Sequence, residues 1–168
     1  GGGVLVGGGS FAMSGESVIA YNKGTSWGGG VNVTNTATFT MSENCRIVHN
    51  DAGKGGGVSL FGSTVFNMTG GSISDNTAST FGGGVLVSSS EAVTLGGTSV
   101  IDNNMINNSE NNVYLQDGKN IIIGTKTGES AETIGNGVAI PTNGFIIGVT
   151  TQTNPSKDSP VQFTTNGT

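Results

Sequence analysis

Charge is what this chain has least of. Lys and Arg number 6, Asp and Glu 11, and charged residues make up 10 % of the total, against about 25 % in an ordinary globular domain. The basic residues do not cluster, so the positive face that phosphates require is missing and no nucleic-acid partner is expected. A single cysteine, Cys45, cannot close an internal disulfide, so it gives no signal of redox compartment. The 3 prolines all fall after residue 140. No apolar run reaches the roughly 18 residues of a spanning helix, so membrane contact is expected only through segments outside this chain. Ala and Leu are scarce while Val, Ile, Thr and Phe are common, which favours strands and leaves almost no helix. The chain has no initiator Met and opens on a repeat boundary. It reads as a piece of a longer protein, with any signal peptide or anchor outside it.

Glycine is abundant, with 31 residues, and it is ordered in sequence. Gly-Gly-Gly-Val occurs at residues 1–4, 28–31, 55–58 and 82–85, always 27 residues apart. Each glycine in an ordered segment costs about 0.5–1 kcal/mol relative to alanine. Three together, repeated in register, mean that the backbone needs them, for positive φ at a corner or for backbone passing close to backbone. A fixed period of this size marks a solenoid.

Three apolar triplets follow each glycine run. The first coil has Val4-Leu5-Val6, Phe11-Ala12-Met13 and Ser17-Val18-Ile19, and the second Val31-Asn32-Val33, Phe39-Thr40-Met41 and Cys45-Arg46-Ile47. The third has Val58-Ser59-Leu60, Phe66-Asn67-Met68 and Ile73; the fourth has Val85-Leu86-Val87, Val93-Thr94-Leu95 and Ser99-Val100-Ile101. Alternation of apolar and variable positions puts one face of each strand inward. The variable residues Leu5, Asn32, Ser59 and Leu86 are therefore expected to point outward, and Cys45 to be a buried free thiol. Ile-x-x-Asn closes each unit at Ile19/Asn22, Ile47/Asn50, Ile73/Asn76 and Ile101/Asn104. Asn tolerates left-handed backbone and its amide both donates and accepts, so Asn22, Asn50, Asn76 and Asn104 are expected to form a structural ladder.

A fifth coil starts in register with Asn111-Asn112-Val113-Tyr114-Leu115 and Ile121-Ile122-Ile123, then loses it after Gly124. The expected organisation is a repeat array over residues 1–123, with coils starting near 1, 28, 55, 82 and 110. A terminal coil and cap over 124–168 belongs to the same domain. Strands are predicted in the cap at 144–149 and 161–164, and proline suits such an end because it blocks ladder pairing. Leucine-rich repeats and the hexapeptide solenoid do not fit the composition or the subperiod. The fold class is all-β: a right-handed parallel β-helix of about five coils of 27–28 residues, with three strands per coil and a C-terminal cap.

Gly-Gly-Gly-Val … Phe-x-Met … Gly-Gly-x-Ile-x-x-Asn resembles the right-handed β-helix repeats of large bacterial adhesin-like surface proteins. It is also similar to the Gly-Gly-[aliphatic] plus Phe-x-x-Asn repeats of the polymorphic outer-membrane protein family, with Ile here where that family has Phe. The tail from Ile147-Gly148-Val149 through Asp158-Ser159-Pro160-Val161 to Phe163-Thr164-Thr165 resembles segments that follow such arrays. The resemblance implies an extracellular, cell-surface location.

Parallel β-helices also carry pectate lyases and polygalacturonases, so a catalytic site has to be sought. His49, Asp75 and Asp102 gather near one corner, with Tyr21 and Asn103 in the same column. Polar residues belong at corners, and no catalytic, cofactor or metal residue is assigned. Gly53-Lys54-Gly55 lacks the first glycine and the hydroxyl of a phosphate loop, and the glycine runs lack the Gly-x-Asp spacing of calcium-binding nonapeptides. Trp27, Lys54 and Phe81 share a column just before the glycine corners. They are the candidate binding residues, either stacking on a sugar or packing together as a cation–π group.

Enzymes on this scaffold have long insertions that wall a cleft, whereas strand spacing here is nearly constant. The function expected is therefore a non-enzymatic surface module, a structural stalk or adhesive segment of a larger protein. Its partner would be a host or cell-wall glycan, or a surface protein, and it needs no cofactor. The alternative is a polysaccharide-active lyase or glycoside hydrolase, or a carbohydrate-binding derivative of one.

Overall fold

The structure, a computed structural model, describes residues 1–90, 92–124 and 141–153. It is a parallel β-solenoid without helix among the described residues. The first coil holds β1 (Val4–Val6), β2 (Ser10–Met13) and β3 (Val18–Ala20). The second holds β4 (Val31–Asn35), β5 (Thr38–Met41), β6 (Arg46–Val48) and β7 (Asp51–Lys54). The third holds β8 (Val58–Gly62), β9 (Val65–Met68), β10 (Ser72–Ser74) and β11 (Thr77–Phe81). In the fourth are β12 (Val85–Val87), β13 (Ala92–Leu95), β14 (Val100–Asp102), and the hairpin of β15 (Met105–Ile106) and β16 (Ser109–Glu110). Beyond them lie β17 (Val113–Leu115), β18 (Ile122–Ile123), β19 (Ile146–Ile147) and β20 (Val149–Thr151).

Stacking puts β1-β4-β8-β12-β17-β20 in a first sheet, β2-β5-β9-β13-β18 in a second and β3-β6-β10-β14-β19 in a third. The apolar columns run through them in the expected register. Val4 pairs with Val31, Val31 with Val58, and Val58 with Val85. Phe11, Phe39, Phe66 and Val93 form a second column, Met13, Met41, Met68 and Leu95 a third, and Ile19, Ile47, Ile73 and Ile101 a fourth. Phe11, Phe39 and Phe66 stack with centroids 5.5 and 5.1 Å apart. One continuous core results, and each fully buried aliphatic or aromatic side chain contributes about 1.5–3 kcal/mol. Cys45 lies in it as a buried free thiol whose pKa is raised by burial. Its sulfur fills the space left by Gly71, where a Cβ would stand 2.9 Å away.

Three differences from the sequence expectation stand out. There are four sheets, not three, because β7, β11, β15 and β16 form a fourth. Its inward side chains are only Ala52 and Ala78, too small to stand out as an apolar triplet. The second, third and fourth turns have strands in all four sheets; the first meets the fourth sheet only through bridges at Lys23 and Trp27, and the fifth has β17, β18 and β19 but no described strand there. Finally, Ser59 and Leu86 are buried although they point away from the core, at 0 % and 1 % exposure. The glycine corner folds back over them: a Cβ on Gly55 would stand 2.9 Å from Ser59 Cα, and one on Gly82 2.8 Å from Leu86 N. The strand predicted at 144–149 is seen as β19 and β20, broken at Gly148. The one predicted at 161–164, with most of the proposed cap, lies outside the described residues.

The third corner shows why glycine comes in threes. Gly55 has φ +63°, in the left-handed region. Gly56 passes so close to the carbonyl oxygens of Thr77 and Gly83 that no Cβ fits. Gly57 packs under the ladder, where a Cβ would stand 2.8 Å from Ile73 Cγ2 and 3.1 Å from Asn76 Nδ2. Each position has its own reason, and the third links the glycine repeat to the asparagine repeat.

Candidate functional site

Asn22, Asn50, Asn76 and Asn104 stack beside these glycines as a directional ladder. Each Nδ2 donates to the Oδ1 of the next member, at 3.0 Å from Asn22 to Asn50, 3.0 Å from Asn50 to Asn76 and 2.9 Å from Asn76 to Asn104. Asn104 Nδ2 then donates to Asn112 Oδ1 at 3.0 Å. Asn112 is a fifth rung that the Ile-x-x-Asn spacing does not reveal. The β15–β16 hairpin replaces the wide fourth corner here, so only 8 residues separate the last two rungs. The backbone N–H of each of the first four rungs donates to the same oxygen. Asn50, Asn76 and Asn104 are buried, so this column is structural.

The polar corner comes next to it. Tyr21, His49, Asp75 and Asn103 are in the left-handed region, with φ 58°, 55°, 55° and 52°. That conformation turns the side chains out to solvent. His49 stacks on Tyr21 with centroids 5.0 Å apart, and no hydrogen bond joins it to Asp75. Asp102 pairs with Ser74, next to Asp75, and its pKa is raised, first by burial and then by the charges of Asp75 and Glu110. No three His, Cys, Asp or Glu side chains among the described residues converge on a metal-sized point.

The raised pKa has a consequence for stability. Between the unfolded value, about 3.9, and the higher folded one, the folded state binds more protons, so stability falls as pH rises through that window. Asp102→Asn should therefore raise the melting temperature at pH 7 and leave it unchanged at about pH 2.5, below both values. A lower melting temperature at pH 7 would show instead that the carboxylate makes favourable contacts.

At the opposite corner the structure brings Trp27, Lys54 and Phe81 together. Trp27 bridges to Lys54, and Lys54 pairs with Phe81 past an irregularity in β11. Lys54 Nζ lies 4.6 Å from the Trp27 ring centroid and 5.8 Å from that of Phe81, within the range of a cation–π contact. Two outward residues of the first sheet extend the row. Phe61 meets Trp27 at 5.7 Å, and Tyr114 meets Phe81 at 4.8 Å. Sequence reasoning missed both, because they occupy variable positions on the outward face. Tyr114 was visible there as an aromatic, but nothing in its spacing linked it to Phe81.

Between Trp27 and Phe61 lies a cleft of about 160 Å³, floored by Asn32 and Thr34 of β4. Asn32 Oδ1 is buried and, among the described residues, has no hydrogen-bond partner. Nor does any described carboxylate pair with Lys54, whereas Lys23 is held by Asp51 at 3.1 Å. The arrangement can stack a ring, offer hydrogen bonds from below and present a cation beside it.

The fold and this row of side chains define a parallel β-solenoid with an aromatic–cation cluster on one outer face. No family model matches the chain, and no curated protein or solved structure is significantly similar to it.

Proposed function

We propose that the chain is a non-enzymatic, extracellular surface module, a stalk or adhesive β-solenoid segment of a larger cell-surface protein of the adhesin-like type. The observation that carries this reading is the shortness of the turns. Only Thr36-Ala37 separate β4 from β5, and only Ser63-Thr64 separate β8 from β9. No described insertion rises beside a sheet to enclose a substrate or exclude water. What the fold offers is long flat faces, and the first of these carries the exposed Phe61 and the half-buried Tyr114. The motif resemblance to adhesin-like and polymorphic outer-membrane repeats supports the same reading. A host or cell-wall glycan, or a surface protein, is the partner that such a face suits.

Two measurements test it. Antibodies against this segment should label intact cells that make the parent protein, and a glycan array or cell-wall pull-down should show binding without turnover. Absence of surface labelling would overturn the location. Release of reducing ends or unsaturated uronates from a polysaccharide would overturn the non-enzymatic reading.

A further inference from the structure

The outer face of the first sheet points to a more specific ligand. We propose that the cleft between Trp27 and Phe61 is a subsite for one acidic pyranose ring, a hexuronate or other carboxylated sugar within a glycan chain. The proposal rests on the surface-module reading and gives it a ligand class. Size is the first argument. The cleft measures about 160 Å³, and a cavity of roughly 150 Å³ accepts one benzene ring, so a single six-membered ring fits.

The walls are the second argument. The Trp27 and Phe61 rings are in contact, with centroids 5.7 Å apart and planes tilted by 52°, so a guest lies against the pair and not between two parallel faces. Aromatic faces carry negative potential, which attracts the polarised C–H bonds of a pyranose. Phe61 is 51 % exposed, so its outer ring is free to take part.

The floor distinguishes a sugar from an aromatic or alkyl guest. Asn32 and Thr34 bring an amide and a hydroxyl to the cleft. An apolar guest would cover the Thr34 hydroxyl without giving it a partner, whereas a ring bearing hydroxyls satisfies it. Asn32 Oδ1 is buried and lacks any protein partner among the described residues, so turning its amide toward a guest breaks no hydrogen bond of the fold.

Charge decides the kind of sugar. Lys54 does not line the cleft itself, but its ammonium lies against the Trp27 wall, 4.6 Å from the ring centroid, and has no described carboxylate partner. In a chain of net charge −5, this is an unusual place for an uncompensated cation, and a sugar carboxylate complements it. A second hollow of about 350 Å³ shares Trp27 and Asn32 with the cleft and is lined by Lys23, Thr25 and Ser26. It gives a glycan chain room to continue.

Trp27 is the only tryptophan, so its fluorescence reports on the cleft directly. Titration with methyl β-glucuronide should give a saturable change, and methyl β-glucoside should bind about tenfold more weakly. Lys54→Met should remove that difference. Phe61→Ala and the near-isosteric Thr34→Val should each weaken binding about tenfold while leaving the melting temperature and circular dichroism unchanged. Tyr21→Ala, at the opposite corner, should change nothing. Equal binding of the two glycosides, no saturable response, or binding untouched by Phe61→Ala would overturn the assignment. If the chain still captures an acidic glycan on an array in any of those cases, the adhesive reading stands and only this cleft is wrong. Surface labelling of cells is independent of all these results.

Discussion

Met41→Glu is expected to abolish the cooperative thermal transition at pH 7. Met41 is 1 % exposed and sits in register between Met13 and Met68 on the adjacent coils. A carboxylate there has no partner in an apolar column, and the penalty for burying it is several kcal/mol even after relaxation. The total stability of a domain is about 5–15 kcal/mol. In a solenoid each coil is supported only by its neighbours, so loosening the second coil also exposes the first and third. The sign with pH follows: the introduced carboxyl has a folded pKa above its unfolded value, so stability should recover as pH falls. Thermal melts followed by circular dichroism at pH 7 and about pH 4, near the ordinary carboxylate value, check both parts. Met41→Leu, which keeps the volume, should cost less than about 1.5 kcal/mol. A normal melt for Met41→Glu would mean that the second sheet faces the other way.

The apolar columns were legible because every coil repeats a large side chain at the same phase. Val4 to Val85 and Phe11 to Phe66 need no more than alternation and a period. The fourth sheet was not legible, since Ala52 and Ala78 bury little area and the strand around them reads as a polar linker. Its neighbour, the glycine corner, has the same cause seen from the other side. Backbone packs there where side chains would otherwise be, so the sequence shows only what is missing. The candidate site was half legible. Trp27, Lys54 and Phe81 share a column before the corner, which spacing reveals. Phe61 comes from the far end of a different strand and reaches Trp27 across the sheet face, and no one-dimensional period contains that contact. The burial of Ser59 and Leu86 escaped for a related reason: an outward position is exposed only if nothing folds back over it.

Replacing Asn76 with Leu should destabilise the chain as much as any change of similar volume on the ladder's side of the coil. Asn76 Nδ2 donates to Ile47 O, Ser74 O and Asn104 Oδ1, and its Oδ1 accepts from the backbone N–H and the side-chain amide of Asn50. Leucine supplies none of these, and the groups left behind are buried at about 1–3 kcal/mol each. A loss of at least about 3 kcal/mol is expected when several remain unpaired. Asn50→Leu should cost a similar amount, for the same set of contacts on the preceding rung. Asn22 is only partly buried, and its Nδ2 reaches just Ala20 O and Asn50 Oδ1, so Asn22→Leu should cost less. Asn67, on the outward side of β9, makes no ladder contact, and Asn67→Leu should fall within about 0.5 kcal/mol of the parent, as ordinary surface changes do. Asn76→Asp separates packing from hydrogen bonding. It keeps the shape and the accepting oxygen but loses the amide donor, and it introduces a buried carboxyl whose folded pKa is raised, so its deficit should grow with rising pH. Denaturant midpoints of the five variants give the order. Equal, small losses at Asn50 and Asn76 would mean that water replaces the amides readily. The third glycine of each run would then need a reason other than the amide it packs against.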